Sequence, residues 1–229
     1  MEGIHPNIAK LLASRGIRSR EDVEEFLSPQ PQQTYDPFLM KGMREAVEKI
    51  RQHLQRGSKI CIYGDYDVDG VTAICLVFEF LKNLTDNLEW YIPVRQQEGY
   101  GINNEALKKI RDRGADLLIS VDCGISACEE VRYAHELGLD TIITDHHTPG
   151  EEIPDGVVIN PKQPGCPYPY KELCGCGVGL LASVHGRDRK DLLQRPDMKT
   201  MLERGLFSKL LRIEERQGRR SYTLESLPL

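Results

Sequence analysis

The stretch Lys59-Ile-Cys-Ile-Tyr-Gly-Asp-Tyr-Asp-Val-Asp-Gly70 decides the architecture: an apolar run of strand length breaks into a turn that carries Asp65, Asp67 and Asp69 between two glycines. The residues that follow, over 71–83, are apolar nearly all round, as a buried helix is. Strand, acidic turn and buried helix open a βαβ unit, and the pattern continues downstream. The sequence predicts strands over 59–63, 88–92, 117–121, 141–144 and 157–159, and helices over 71–83, 103–113 and 126–137. Gly114 and Gly138 close the last two helices. Continuous apolar strands alternating with helices specify an α/β domain, a parallel sheet with helices on both faces.

Upstream, helices are predicted over 7–15 and 19–27, the second opened by Ser19 with Asp22 three residues on. A proline- and glutamine-rich connection follows. Met43, Ala46, Val47, Ile50 and Leu54 then share one helical face, with Gly57 as the stop. The expected organisation is a helical lead-in over 1–56, an α/β domain over 57–182 and a basic tail over 183–229. The tail shows no clear strand signal and has room for a helix or two. The stretch 173–179, rich in glycine and cysteine, reads as a tight glycine turn.

The chain has 229 residues, 30 Lys and Arg against 35 Asp and Glu, and a formal charge of −5. No apolar run approaches the ~18 residues of a membrane span, and the start lacks a signal-like core, so the expected location is cytoplasmic. The seven cysteines read as reduced thiols. Cys61, Cys75, Cys123 and Cys128 lie in apolar contexts and are expected in the core, as are Trp90 and Tyr91; Cys166, Cys174 and Cys176 lack a fourth partner at zinc spacing. The acidity argues weakly against a nucleic-acid partner, but it is uneven. The last 47 residues hold 11 basic and 7 acidic side chains, against 19 and 28 before them.

Ligands of open parallel sheets bind beyond the carboxyl ends of the strands. Here the first strand runs into Asp65, Asp67 and Asp69, the second into Arg95, the third into Asp122, the fourth into Asp145, His146 and His147, and the fifth into Asn160 and Lys162. An acidic turn at one strand end is as often a solvated cap as a ligand set, and an adjacent His pair is more often surface. Acidic groups at three predicted strand ends would each need a separate bland explanation. Crowded carboxylates repel one another, and a divalent ion removes that cost. Oxygen ligands with one or two imidazoles suit Mn²⁺ or Mg²⁺, and two such ions ~3.5–4 Å apart serve phosphoester chemistry. Tyr100, in Glu98-Gly-Tyr-Gly101 just after Arg95, is a candidate substrate contact.

These motifs, Gly-Asp-Tyr-Asp-Val-Asp-Gly at 64–70, Ile-Pro-Val-Arg at 92–95 with Gly-Tyr-Gly at 99–101, Val-Asp-Cys-Gly-Ile at 121–125 and Thr-Asp-His-His at 144–147, resemble the DHH phosphoesterases, and within them the RecJ-type single-stranded-DNA exonucleases. The resemblance covers roughly three quarters of the chain. It implies a Mn²⁺- or Mg²⁺-dependent exonuclease that degrades single-stranded DNA from the 5′ end to mononucleotides in repair and recombination. It assigns Asp65, Asp67, Asp69, Asp122 and His146 to the metals. His147 would contact the scissile phosphate or assist the leaving group, Asp145 would orient the histidines, and Arg95 would hold a phosphate. The family continues with a strand ending in Gly-Thr-Ile-Ala-Asp or similar, whose aspartate completes the site, and with a C-terminal domain that grips the substrate. Nothing from Ser183 to Leu229 resembles either, which implies an incomplete or impaired copy, truncated or frame-shifted, with a genuine short form second. Asp188, Asp191 and Asp197 are candidate substitutes. Two alternatives stand beside this: a DHH-type hydrolase of oligoribonucleotides, cyclic dinucleotides or pyrophosphate, and a non-catalytic metal- and nucleic-acid-binding remnant.

Overall fold

The structure, a computed structural model, describes residues 4–27, 35–184, 211–216 and 219–224. The chain forms two compact units, Met1–Asp36 and Pro37–Leu229. In the first, α1 (Pro6–Ser14) is followed by α2 (Arg20–Leu27). The start of α2 is a reciprocal cap: the Asp22 N–H donates to Ser19 Oγ at 3.0 Å, and the Ser19 N–H donates to the Asp22 carboxylate at 3.2 Å.

The second unit opens with a 3₁₀ turn (Pro37–Leu39) and α3 (Met43–Arg56), which stops at Gly57 in the left-handed conformation. There follow β1 (Lys59–Gly64), α4 (Val68–Lys82), β2 (Leu88–Tyr91), the single turn α5 (Arg95–Glu98), α6 (Asn104–Asp112), β3 (Ala115–Val121), α7 (Cys128–Glu136), β4 (Asp140–Thr144), β5 (Val157–Ile159) and α8 (Gly175–Val184). The five strands form one parallel sheet in the order β2-β1-β3-β4-β5.

Strand alternation divides the core in two. Ile60, Ile62, Leu117, Ile119, Val121, Ile142, Val157 and Ile159 face one side, where Met43 and Ala46 of α3, Ala73, Ile74, Val77 and Leu81 of α4 and Val178 of α8 pack on them. Cys61, Tyr63, Leu118, Ile143 and Val158 face the other, covered by Ala106, Leu107 and Ile110 of α6 and Val131 and Ala134 of α7. Both faces are dry, which is why the strands read as continuous apolar runs.

Several residues sit differently from the sequence reading. The helix over 43–56, grouped there with the lead-in, packs on the sheet as part of the second unit. Trp90 is 53% exposed, because β2 is an edge strand with only one neighbour; Tyr91 is half-buried. Cys61 and Cys123 are buried as expected, whereas Cys75 and Cys128 are half-buried. The stretch expected as a glycine turn instead opens α8. In the tail, where no clear strand signal was read, β6 (Leu211–Arg216) and β7 (Arg219–Leu224) pair as an antiparallel hairpin. The reason is visible in retrospect: Leu211, Ile213 and Tyr222, Leu224 recur with a period of two around Gln217-Gly218.

Met43 is fully buried against the sheet. Met43→Ala is expected to cost about 2–5 kcal/mol of stability, read as a shift of the urea midpoint at constant slope; a change near zero would place α3 outside the cooperative unit.

Candidate metal centre

Strand register assembles the site. Gly64 pairs with Val121, Val121 with Thr144 and Thr144 with Ile159. The next residue on each strand therefore falls in one row along the carboxyl edge: Asp65, Asp122, Asp145 and Asn160, all at most 3% exposed. The chain leaves β1 toward β2 and returns on the other side of β1 as β3, so the order reverses between β1 and β3. That switch point is where open α/β sheets form their crevice, and Asp65 and Asp122 flank it.

The turn after β1 is shaped by close approach. Asp67 caps α4 by accepting the Gly70 N–H at 2.9 Å, and a Cβ on Gly70 would lie 2.5–2.8 Å from the Asp65 backbone. Any side chain at position 70 would push α4 off the strand end. Asp65 Oδ1 accepts the Tyr66 N–H at 2.7 Å. The turn after β3 is shaped by strain. Asp122 has φ +58°, the positive value of a non-glycine residue, a conformation aspartate tolerates better than most and one that costs about 1–3 kcal/mol.

Asp145 organises the turn after β4. Its Oδ1 accepts the His146 N–H at 2.7 Å, the His147 N–H at 3.1 Å and His147 Nδ1 at 2.7 Å, while Oδ2 accepts the Ile125 N–H at 2.9 Å. A carboxylate partner makes Nδ1 the protonated nitrogen of neutral His147 and leaves Nε2 as its lone-pair atom. Asn160 Nδ2 ties the same turn down by donating to the His147 carbonyl at 2.9 Å. Burial alone would lower the His147 pKa; the Asp145 hydrogen bond and the charges of Asp145, Asp122 and Asp67 outweigh it and raise it.

Asp69 is held from an element that the sequence reading missed. Its two carboxylate oxygens accept the Gly175 and Cys176 N–H groups at 2.7 Å each, at the start of α8. Unpaired amides at a helix N-terminus suit a carboxylate. The signal in the sequence was the pairing of Gly175, Gly177 and Gly179 with the apolar run that follows, which marks a close-packed helix start as well as a loop. Gly175 also lies so near Asp122 that a Cβ there would run into its carboxylate.

At the centre, His146 Nε2 lies 3.1 Å from Asp122 Oδ1 and 3.6 Å from Asp69 Oδ2. Asp122, His146 and His147 each offer a ligand atom, all within 4.8 Å of one another. Asp122 Oδ1 is buried and, among the described residues, has no hydrogen-bond partner despite its nearness to His146. Burial, with the charges of Asp69 and Asp67, pushes the Asp122 carboxyl up to about 8. An orphaned, crowded carboxyl oxygen between two imidazoles and a second carboxylate is the donor set of a hard divalent cation, and Mn²⁺ or Mg²⁺ fits it.

The structure thus brings together Asp69, Asp122, Asp145, His146 and His147, with Asp67 close enough to act on Asp122 by charge. Asp65 stands beside Asp122 in the strand-end row, and after burial its charge and that of Asp145 raise the Tyr100 hydroxyl pKa. Tyr100 itself is 59% exposed and meets Tyr66 edge-on, with ring centroids 6.5 Å apart. Arg95 opens α5, but its side chain lies outside the described residues, as do Asp188, Asp191 and Asp197.

Because the folded pKa of Asp122 lies above the ~3.9 of an unfolded aspartate, its contribution to stability is full at low pH and is lost as pH rises toward about 8. In chelator, Asp122→Asn is therefore expected to be more stable than the wild type at pH 9 by roughly 1–3 kcal/mol, with the advantage fading by pH 4; parallel melting curves across that range would contradict this. Gly175→Ala is expected to weaken Mn²⁺ binding about 10- to 100-fold by calorimetry, and an unchanged affinity would show that α8 does not shape the site.

The profile of the DHH family, N-terminal domain, matches residues 59–203. The single-stranded-DNA-specific exonuclease RecJ of Bacillus subtilis (strain 168) is 50% identical over 178 residues, which are 77% of this chain and 23% of that protein. Among solved structures, exonuclease RecJ bound to manganese superposes with a TM-score of 0.60 at 36% identity over 66% of this chain and 38% of the other. RecJ from Thermus thermophilus in complex with Mn²⁺ gives 0.61 at 30% identity over 87% and 28%. The chain spans about a quarter of the length of the Bacillus relative. With the profile covering more than half its residues and the acidic and histidine turns after β1, β3 and β4 meeting in one crevice, the chain belongs to the DHH family.

Proposed function

We propose that the chain is the metal-dependent core of a 5′ to 3′ single-stranded-DNA exonuclease that releases mononucleotides in DNA repair and recombination, in the cytoplasm. The observation that carries the reading is the buried, unpartnered Asp122 Oδ1 among Asp69, His146 and His147. The similarity to RecJ proteins supports the choice of substrate, as does a first motif that opens with Gly64-Asp65 where the DHH hydrolases of small substrates usually have histidine. Among the described residues no helix is long and apolar enough to cross a membrane.

Asp122 and His146, with Asp65, Asp67 and Asp69, would hold one or two Mn²⁺ or Mg²⁺ ions. When bound there, such ions polarise a phosphodiester and ease deprotonation of water at neutral pH. The rest of the work falls to the protein. Asp145 fixes the ring of His147 through Nδ1, which leaves Nε2 of the half-exposed, protonated imidazole to donate a proton to the leaving oxygen. The raised pKa of His147 keeps more of that proton in place near neutral pH. Asp69 is held in position by the α8 amides. Tyr100, whose ring meets Tyr66 beside Asp65, would receive the strand, and Arg95 would hold a phosphate.

With Mn²⁺ and a 5′-phosphorylated single strand, the purified chain is expected to release mononucleotides from the 5′ end. Asp122→Ala is expected to abolish release, and Asp145→Asn to lower kcat about 10- to 100-fold. Faster turnover of a dinucleotide or pyrophosphate than of the strand would favour a small-substrate hydrolase. Tight Mn²⁺ binding without hydrolysis of any of these would leave a non-catalytic binding module.

A further inference from the structure

We propose that Glu98 is a positioning residue that latches the segment 94–101 beside the crevice and so sets where Tyr100 meets the substrate strand. The latch stands on geometry alone; what Tyr100 meets rests on the nuclease reading above.

The Glu98 side chain is only 6% exposed, although the turn that carries it is a surface segment. Its carboxylate gathers three donors from three places. Tyr91 at the end of β2 donates its hydroxyl to Oε1 at 2.5 Å, Lys109 of α6 donates Nζ to Oε1 at 2.9 Å, and the N–H of Val94, the residue that opens α5, donates to Oε2 at 2.8 Å. Burial opposes the charge, yet these hydrogen bonds hold the carboxyl down at about 2, so it is ionised under all ordinary conditions. A helix of four residues cannot hold itself together. Among the described residues, Glu98 supplies the side-chain tie at the start of the segment.

Its far end is pinned separately. Tyr63 is stacked on Tyr91, with ring centroids 5.6 Å apart and planes 8° apart, and donates its hydroxyl to the Gly101 carbonyl at 2.7 Å. Gly99 and Gly101 both have φ +79° and open space around them, so the backbone swivels readily on either side of Tyr100. Tyr100 thus sits between two fixed points on two pivots, its exposed ring edge-on to Tyr66, which directly follows Asp65. Exposed aromatic rings beside a phosphoester site suit an unstacked base and not a base within a duplex. A purely structural Glu98 would affect stability and nothing selective; a latch acts on substrate engagement through Tyr100.

The test uses Glu98→Ala, Glu98→Gln, Tyr100→Ala and the Glu98→Ala/Tyr100→Ala double variant of the full chain. Hydrogen exchange is expected to quicken over 94–101 in Glu98→Ala while β1 and β3 stay protected. On a 5′-phosphorylated single strand with Mn²⁺, KM is expected to rise about 10- to 100-fold with kcat little changed. Glu98→Gln, which still offers Tyr91 an acceptor, recovers part of the loss, and the double variant is no worse than Tyr100→Ala. Unchanged exchange over 94–101 overturns the latch whether or not the chain cleaves DNA. Quickened exchange with kcat falling as much as KM rises, or with multiplicative losses in the double variant, overturns the positioning role. If the wild-type chain cleaves no strand at all, it is the nuclease reading that fails, and exchange still decides the latch.

Discussion

The repulsion among carboxylates that parallel register forces into one buried row is the constraint around which the rest of the structure is arranged. Asp65, Asp122 and Asp145 lie in that row because Gly64, Val121 and Thr144 are paired across three strands. The register cannot shift without turning every core side chain to the wrong face. The acidic row is therefore a consequence of the same alternation that builds the two cores. Folding the chain means bringing these groups together, and the structure shows three ways of meeting the cost.

Two of the ways are internal. Asp145 is satisfied by four donors, and Asp69 and Asp67 are each placed where helix amides point at them, at the starts of α8 and α4. The third is left open. Asp122 is held at a left-handed backbone position, out of water, with an oxygen that no hydrogen bond satisfies among the described residues. A group in that state holds a proton or a cation, and the imidazoles of His146 and His147 beside it favour the cation. Stability is given up at one residue to create an affinity, which is the usual place for strain to be kept.

Much of this was legible in the sequence. The run 59–70, the period-two and period-3.6 patterns and the strand-end acids were enough for the sheet, both helical layers and the residues of the crevice. What escaped was whatever depends on contacts between distant segments. α3 reads as part of a helical lead-in, since its apolar stripe says that it packs but not against what. Residues 173–179 read as a turn because glycine has poor helix propensity; here Gly175 is needed for close approach to Asp122. Trp90 read as core because aromatic residues favour strands, and no single-strand pattern reveals which strand is at an edge. Glu98 had no signal beyond its place beside Gly99, since its three donors are four to eleven residues away or on the backbone.

The central claim is that Asp122 and its neighbours form a cation site that the fold leaves unsatisfied. Titration of the purified chain with Mn²⁺, followed by calorimetry at pH 7.5 in the wild type and in Asp122→Asn, tests it most directly. Saturable binding is expected in the wild type and is expected to be lost in Asp122→Asn. Equal binding by the two proteins, or none by either, would contradict the claim.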